Sequence, residues 1–138
     1  EGFMEALLAR GAAAFAALRR CVERSGEPCE GNLMHTWNSW QLEAQMDAKR
    51  RNIVALARAL PGEGPQILEI GFNAGHSACL MLLAHPTARV VAFDLCEHGY
   101  TQPCAEALRG HFGRERLELH AGPSPETLPA YRAARPGA

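Results

Sequence analysis

The sequence carries almost no net charge: 14 lysines and arginines stand against 15 aspartates and glutamates, a formal -1 over 138 residues. The broad electrostatic attraction that drives nucleic-acid binding therefore has nothing behind it, and no nucleic-acid partner is expected. Long apolar runs are lacking too. The longest stretch, Ala78 to Ala84, stops at His85-Pro86, far short of the roughly 20 residues a bilayer-spanning helix requires, so the chain is not read as an integral membrane protein. Its five cysteines, Cys21, Cys29, Cys79, Cys96 and Cys104, are odd in number and include no C-x-x-C pair; they read as reduced thiols in an intracellular, cytoplasmic setting. His35, His76, His85, His98, His111 and His120 show no H-x-x-x-H spacing, so none is nominated as a metal ligand or base, and no metal site is expected among these residues. Internal repeats and low-complexity tracts are absent. The first residue is Glu1 rather than Met, which fits a removed leader or an excerpt of a longer chain; Glu1, Glu5 and Glu23 argue against an organelle transit segment, which avoids acid.

What is present is 47% apolar and 21% charged residues, the balance of a small globular domain. Phe3, Leu7, Phe15, Leu18 and Val22 recur on one helical stripe, predicting a helix over about 2–24. Ser25 to Asn32, with its glycines and proline, breaks it. A second helix is predicted from about Trp40 to Leu60, with Leu42, Met46, Ile53, Leu56 and Leu60 inward and Glu43, Asp47, Lys49 and Arg50 outward, ended by Pro61-Gly62. Trp37 and Trp40 read as packing residues.

After residue 61 the period changes. Gln66–Ile70, Arg89–Asp94 and Arg116–His120 suit strands, with helices over Ser77–Ala84 and Pro103–Phe112 between them. This is a β-α-β-α-β alternation, which implies a parallel sheet. A third helix is expected from about Thr127 to Ala134, with Ser124 as N-cap and Pro125 at the first helical position. The expected architecture is α/β: a helical region over 1–61, then over 62–138 the N-terminal half of a Rossmann-like, doubly wound parallel sheet. Three strands leave an inner strand as an open edge, to be covered by a protein partner or a missing chain segment.

The segment Ile67 to Ser77 places a tight turn between a strand and a helix start. Gly71 and Gly75 let the backbone approach a ligand, Asn73 tolerates positive φ, and the helix N-terminus offers free N–H groups. Asp94 ends the second strand some 20 residues on, where a carboxylate can accept hydrogen bonds from both ribose hydroxyls. The bland alternative is that Glu69 and Asp94 cap strand ends and Ser77 caps a helix. Dinucleotide dehydrogenases use G-x-G-x-x-G, but here glycines hold the first and fifth positions and His76 the sixth, which disfavours hydride transfer.

The run Glu69-Ile-Gly-Phe-Asn-Ala-Gly-His-Ser77 resembles motif I of class I S-adenosylmethionine-dependent methyltransferases, usually E/D-x-G-x-G-x-G, with Asn73 in place of the middle glycine. More narrowly it resembles the catechol O-methyltransferase-like, small-molecule branch. Phe93-Asp94-Leu95 is similar to the acidic motif that follows, and Gly122 to Pro129 to the segment bordering the adenine; the resemblance spans about 40–132. It implies S-adenosylmethionine as cofactor. Glu69 would orient the glycine loop and the methionine amino group, the backbone at Gly71 and Gly75 and the Ser77 hydroxyl would hold the methionine moiety, and Asn73 and His76 of the same loop would also be cofactor-binding. Asp94 would bind the ribose, Leu95 pack on the adenine and Ser124 hydrogen-bond near its edge, while Pro123 stands where many relatives have an adenine-contacting aspartate. The implied reaction is in-line attack by a nucleophile of a small-molecule acceptor on the sulfonium methyl, promoted chiefly by alignment. In that branch a divalent metal activates the acceptor, but its ligands lie at and beyond a fourth strand that this sequence does not contain. The competing reading is a catalytically inactive methyltransferase-like domain serving as a binding or structural subunit.

Overall fold

The computed structural model describes residues 2–36 and 39–137, so Trp37 lies outside the described residues. Three parallel strands, β1 (Gln66–Ile70), β2 (Arg89–Asp94) and β3 (Leu117–Ala121), form one sheet in the order β1-β2-β3. Leu68 pairs with Val91 and Ile70 with Phe93 across the β1–β2 ladder. The crossovers pass through two helices, α4 (His76–Ala84) and α5 (Thr101–Phe112), and a third, α6 (Ser124–Ala134), follows β3. This is the expected Rossmann-like α/β half-sheet.

Central strand β2 is buried continuously from Val90 to Phe93, as a parallel strand covered on both faces must be. Val90 and Ala92 join the core shared with Ala78, Cys79, Leu82, Cys104 and Leu108. On the opposite face Val91 and Phe93 meet Tyr131 of α6. That face continues onto β1 without cover, leaving Leu68 53% and Ile70 66% exposed.

Ser124 is not the N-cap of α6. Pro123 holds that position, because its carbonyl is the first to accept intrahelical bonds, from the N–H groups of Glu126 and Thr127 at 3.0 Å each. Helix α6 therefore begins ahead of the expected Thr127, and the missing N–H of Pro125 falls among the groups a helix start leaves unpaired.

The N-terminal region departs further from expectation. The helix expected over 2–24 is two, α1 (Gly2–Arg10) and α2 (Ala12–Ser25), separated at Gly11. A Cβ at Gly11 would lie 2.4 Å from Cδ1 of Leu83, so the missing side chain makes the notch into which α4 fits. Leu7, Leu18 and Val22 are buried as expected, whereas Phe3 is exposed and Met4 takes its place in the core. Helix α2 ends on left-handed Gly26, a conformation that costs glycine little.

The second predicted helix starts late. Residues 44–46 form a 3₁₀ turn, and α3 runs Asp47–Ala59. The inward stripe was anchored partly on residues ahead of the helix, and only part of it holds: Ile53 packs against the core as expected. Leu42 and Leu56 are exposed, while Arg50, Val54 and Ala57 face the core. Arg50, expected on the outer face, is 2% exposed and donates from Nη1 to the Leu33 carbonyl at 2.7 Å. Trp40 packs at the core margin, with the Arg19 guanidinium 5.1 Å above its ring. The main core crosses residue 61, joining Ala14, Leu18, Val22 and Ala57 to Phe72, Val90 and Leu108. Among the described residues no helix is long and apolar enough to cross a membrane.

Candidate functional site

The carboxyl ends of β1 and β2 open into a cleft of about 640 Å³, lined by Ile70, Gly71, Asn73, Asp94, Leu95 and Ser124 among others, a size suited to a small-molecule site. Five of the nine nominated residues, Gly71, Asn73, Asp94, Leu95 and Ser124, thus meet in one cavity. A recess of about 50 Å³ beside it is bounded by Gly71, Asn73, His76 and Ser77.

The turn from β1 into α4 is fixed by backbone geometry. Gly71 adopts φ 88°, and a Cβ there would meet no atom within 4 Å, leaving the backbone bare toward open space. Asn73 adopts φ 54°, a left-handed conformation that asparagine tolerates. Gly75 is glycine for another reason. At φ 84° its Cβ would lie 2.6 Å from the ring of Phe72, so it serves packing and lines neither cavity.

Asp94 is held from both sides. Its Oδ2 accepts the Asn73 N–H at 2.7 Å and its Oδ1 the Cys96 N–H at 2.8 Å. Each carboxylate oxygen has a second lone pair, so both remain able to accept from a ligand. The strand-end capping role therefore leaves lone pairs open toward the cleft.

Behind the turn, Glu69 accepts a hydrogen bond from the Ser77 hydroxyl through Oε1, while Oε2 is buried without a partner among the described residues. Burial raises the Glu69 carboxyl to about 7, opposed by the Ser77 bond and reinforced by the charge of Asp94. A buried acceptor left unpaired costs free energy unless a donor arrives. An ammonium group reaching Oε2 would both satisfy it and favour its ionised form.

His76 is 3% exposed, and among the described residues neither ring nitrogen has a hydrogen-bond partner. It stacks on Phe15 at 6.3 Å and meets the edge of His35 at 5.6 Å, and burial lowers its basicity to about 3. Its surroundings are those of a packing residue, with one side on the small recess. His85 is buried as well, its Nδ1 accepting the Thr87 and Ala88 N–H groups.

Sequence reading missed the other wall of the cleft, formed by Glu30, Gly31, Glu97 and His98. Glu30 comes from the loop between α2 and α3, and its carbonyl accepts a hydrogen bond from Asn73 Nδ2. A backbone acceptor leaves no mark in sequence. The Gly31-Asn32 pair was the available signal: Asn32 Oδ1 accepts the Met34 and His35 N–H groups at 2.8 and 2.7 Å and so shapes that loop.

No protein-family model matches the sequence, and no curated protein matches it. Among solved structures the chain is similar to cofactor-bound Rv0187 from MTB, at 24% identity and TM-score 0.60, over 85% of this chain and 47% of that one. It is also similar to the O-methyltransferase TomG from Streptomyces achromogenes, involved in tomaymycin synthesis and solved in complex with SAM, at 22% identity and TM-score 0.60, over 91% of this chain and 48% of that one. The chain shares their fold. It spans about half the length of these neighbours.

Proposed function

We propose that the chain binds S-adenosylmethionine and forms the cofactor-holding half of a class I methyltransferase acting inside the cell on a small-molecule acceptor. The observation that carries this reading is Asp94, whose two oxygens are fixed by backbone N–H groups at the wall of a ligand-sized cleft. The site fits the cofactor's chemistry. Asp94 would accept from the ribose hydroxyls, Leu95 and Ser124 would border the adenine, and the unpaired Oε2 of Glu69, joined to Ser77, would receive the methionine ammonium. When bound, the cofactor supplies an electrophilic methyl group; the protein contributes alignment. The SAM-bound structure of TomG supports the choice of ligand. The catechol O-methyltransferase-like branch rests on the residues of segment 69–77, and the helices of 1–61 pack on α4 and α5 of segment 62–138.

The test is calorimetric titration of the folded protein with S-adenosylmethionine. Asp94→Ala, which loses charge-assisted hydrogen bonds of about 1.5–3 kcal/mol, is expected to bind about 10- to 150-fold more weakly. A wild-type protein that is folded by circular dichroism yet binds neither S-adenosylmethionine nor its demethylated product overturns the proposal. That outcome favours the second reading, a binding or structural subunit, to which the uncovered Leu68 and Ile70 on edge strand β1 point.

A further inference from the structure

We propose that Asn73 is a positioning residue that clamps the loop between α2 and α3 over the cleft, so that one residue governs both the acid at the cleft wall and the opening of its outer side. The inference rests on the cofactor reading for its ligand, and on geometry alone for its clamp.

Asn73 gathers three elements through three groups. Its backbone N–H holds Oδ2 of Asp94 at 2.7 Å. Its Nδ2 donates to the carbonyl of Glu30, and its Oδ1 accepts from the hydroxyl of Tyr100, which precedes α5. Tyr100 itself is 0% exposed, so its hydroxyl is a fixed anchor. The clamped loop has further ties, the Tyr100 hydroxyl also bonding the Glu30 backbone. Glu27 accepts the Gly99 N–H at 2.5 Å, and Arg50 holds the Leu33 carbonyl at 2.7 Å. Between these ties lie Glu30 and Gly31, which line the cleft opposite Asp94 and Leu95. A ligand lodged there is enclosed by a wall whose central tie is the Asn73 amide, and it leaves when that tie opens. A glycine at this position, the usual residue of the resembling motif, supplies the same φ but no clamp.

The test uses the whole chain with three variants. Asn73→Gly keeps the left-handed backbone and the N–H to Asp94 but removes both side-chain bonds; Asn73→Asp removes the Nδ2 donor; Tyr100→Phe removes only the anchoring hydroxyl. Glutamyl endopeptidase reports the loop directly, because the Glu30–Gly31 bond lies within it while Glu27 is protected by Pro28. Without ligand, Asn73→Gly and Asn73→Asp are expected to be cut after Glu30 about 5- to 10-fold faster than wild type, as loss of a hydrogen bond of about 1–1.4 kcal/mol requires. Cleavage elsewhere is unchanged, and Tyr100→Phe lies between. With S-adenosylhomocysteine as probe, the dissociation rate should rise by a similar factor with the association rate unchanged. Equal cleavage at Glu30 in wild type and variants overturns the clamp, as does acceleration spread over all glutamate sites. A protein that binds no S-adenosylhomocysteine overturns the cofactor reading instead, and the cleavage comparison still decides the clamp.

Discussion

Two titratable side chains with atoms out of reach of water, Glu69 and His76, oppose each other in their response to pH. Glu69 is raised from 4.5 to about 7, so the folded protein holds a proton that the unfolded chain has released; its stabilising contribution is complete below about 4.5 and lost as pH rises through about 7. His76 is lowered from 6.5 to about 3, so its contribution is complete above about 6.5 and lost as pH falls toward 3. Between about 4.5 and 6.5 the two slopes cancel. Glu69→Gln removes one of them, and its stability relative to wild type, read from urea denaturation, should climb by about 1.4 kcal/mol per pH unit across that window. A parallel pair of pH profiles would refute the assignment. Ligand binding should follow the same acid: affinity for S-adenosylmethionine is expected to rise with pH through about 7 in wild type and not in Glu69→Gln.

At the scale of elements, α3 shows how a periodic pattern misleads. Leu42 and Leu56 were expected inside and are exposed, because the stripe ran through a 3₁₀ turn into a helix that begins only at Asp47. Arg50 was expected outside because it is charged; its burial follows from the unpaired Leu33 carbonyl it satisfies, a need that arises only once the loop is folded against the helix. Arg50→Met is expected to cost about 1–3 kcal/mol through that carbonyl, measured by chemical denaturation, and to quicken amide exchange at residues 30–36. The glycine turn, Asp94 and the strand β2 were legible because their chemistry is local: strand, turn and acid follow one another within 28 residues, from Ile67 to Asp94. Glu30 and Tyr100 were not, since their role depends on chain segments 43 and 27 residues from Asn73. Gly75 and Ser77 were legible as a motif, though the packing of Phe72 against Gly75 was visible only in three dimensions.

For the whole molecule the parallel half-sheet was readable from the alternation of strands and helices, and its open side can be tested for association in solution. Among the described residues strand β1 has a ladder partner on one side only, and beside that edge Leu68 and Ile70 present apolar surface. Such an edge templates further pairing. Leu68→Lys places charge on that face without disturbing the buried one, and light scattering should show less association at equal protein concentration, with the cleft residues unaffected. Unchanged scattering would mean that the edge is not what drives association.

The notch at Gly11 carries a consequence for the order in which the chain is made. Leu83 fills it, and Arg10 reaches the Leu83 carbonyl at 3.3 Å across 73 residues of sequence. Synthesis at 5–20 residues per second delivers α4 about 4–15 s after α1. During that interval Met4, Leu7, Leu18 and Val22 lack much of the surface that later buries them, and slower synthesis lengthens their exposure.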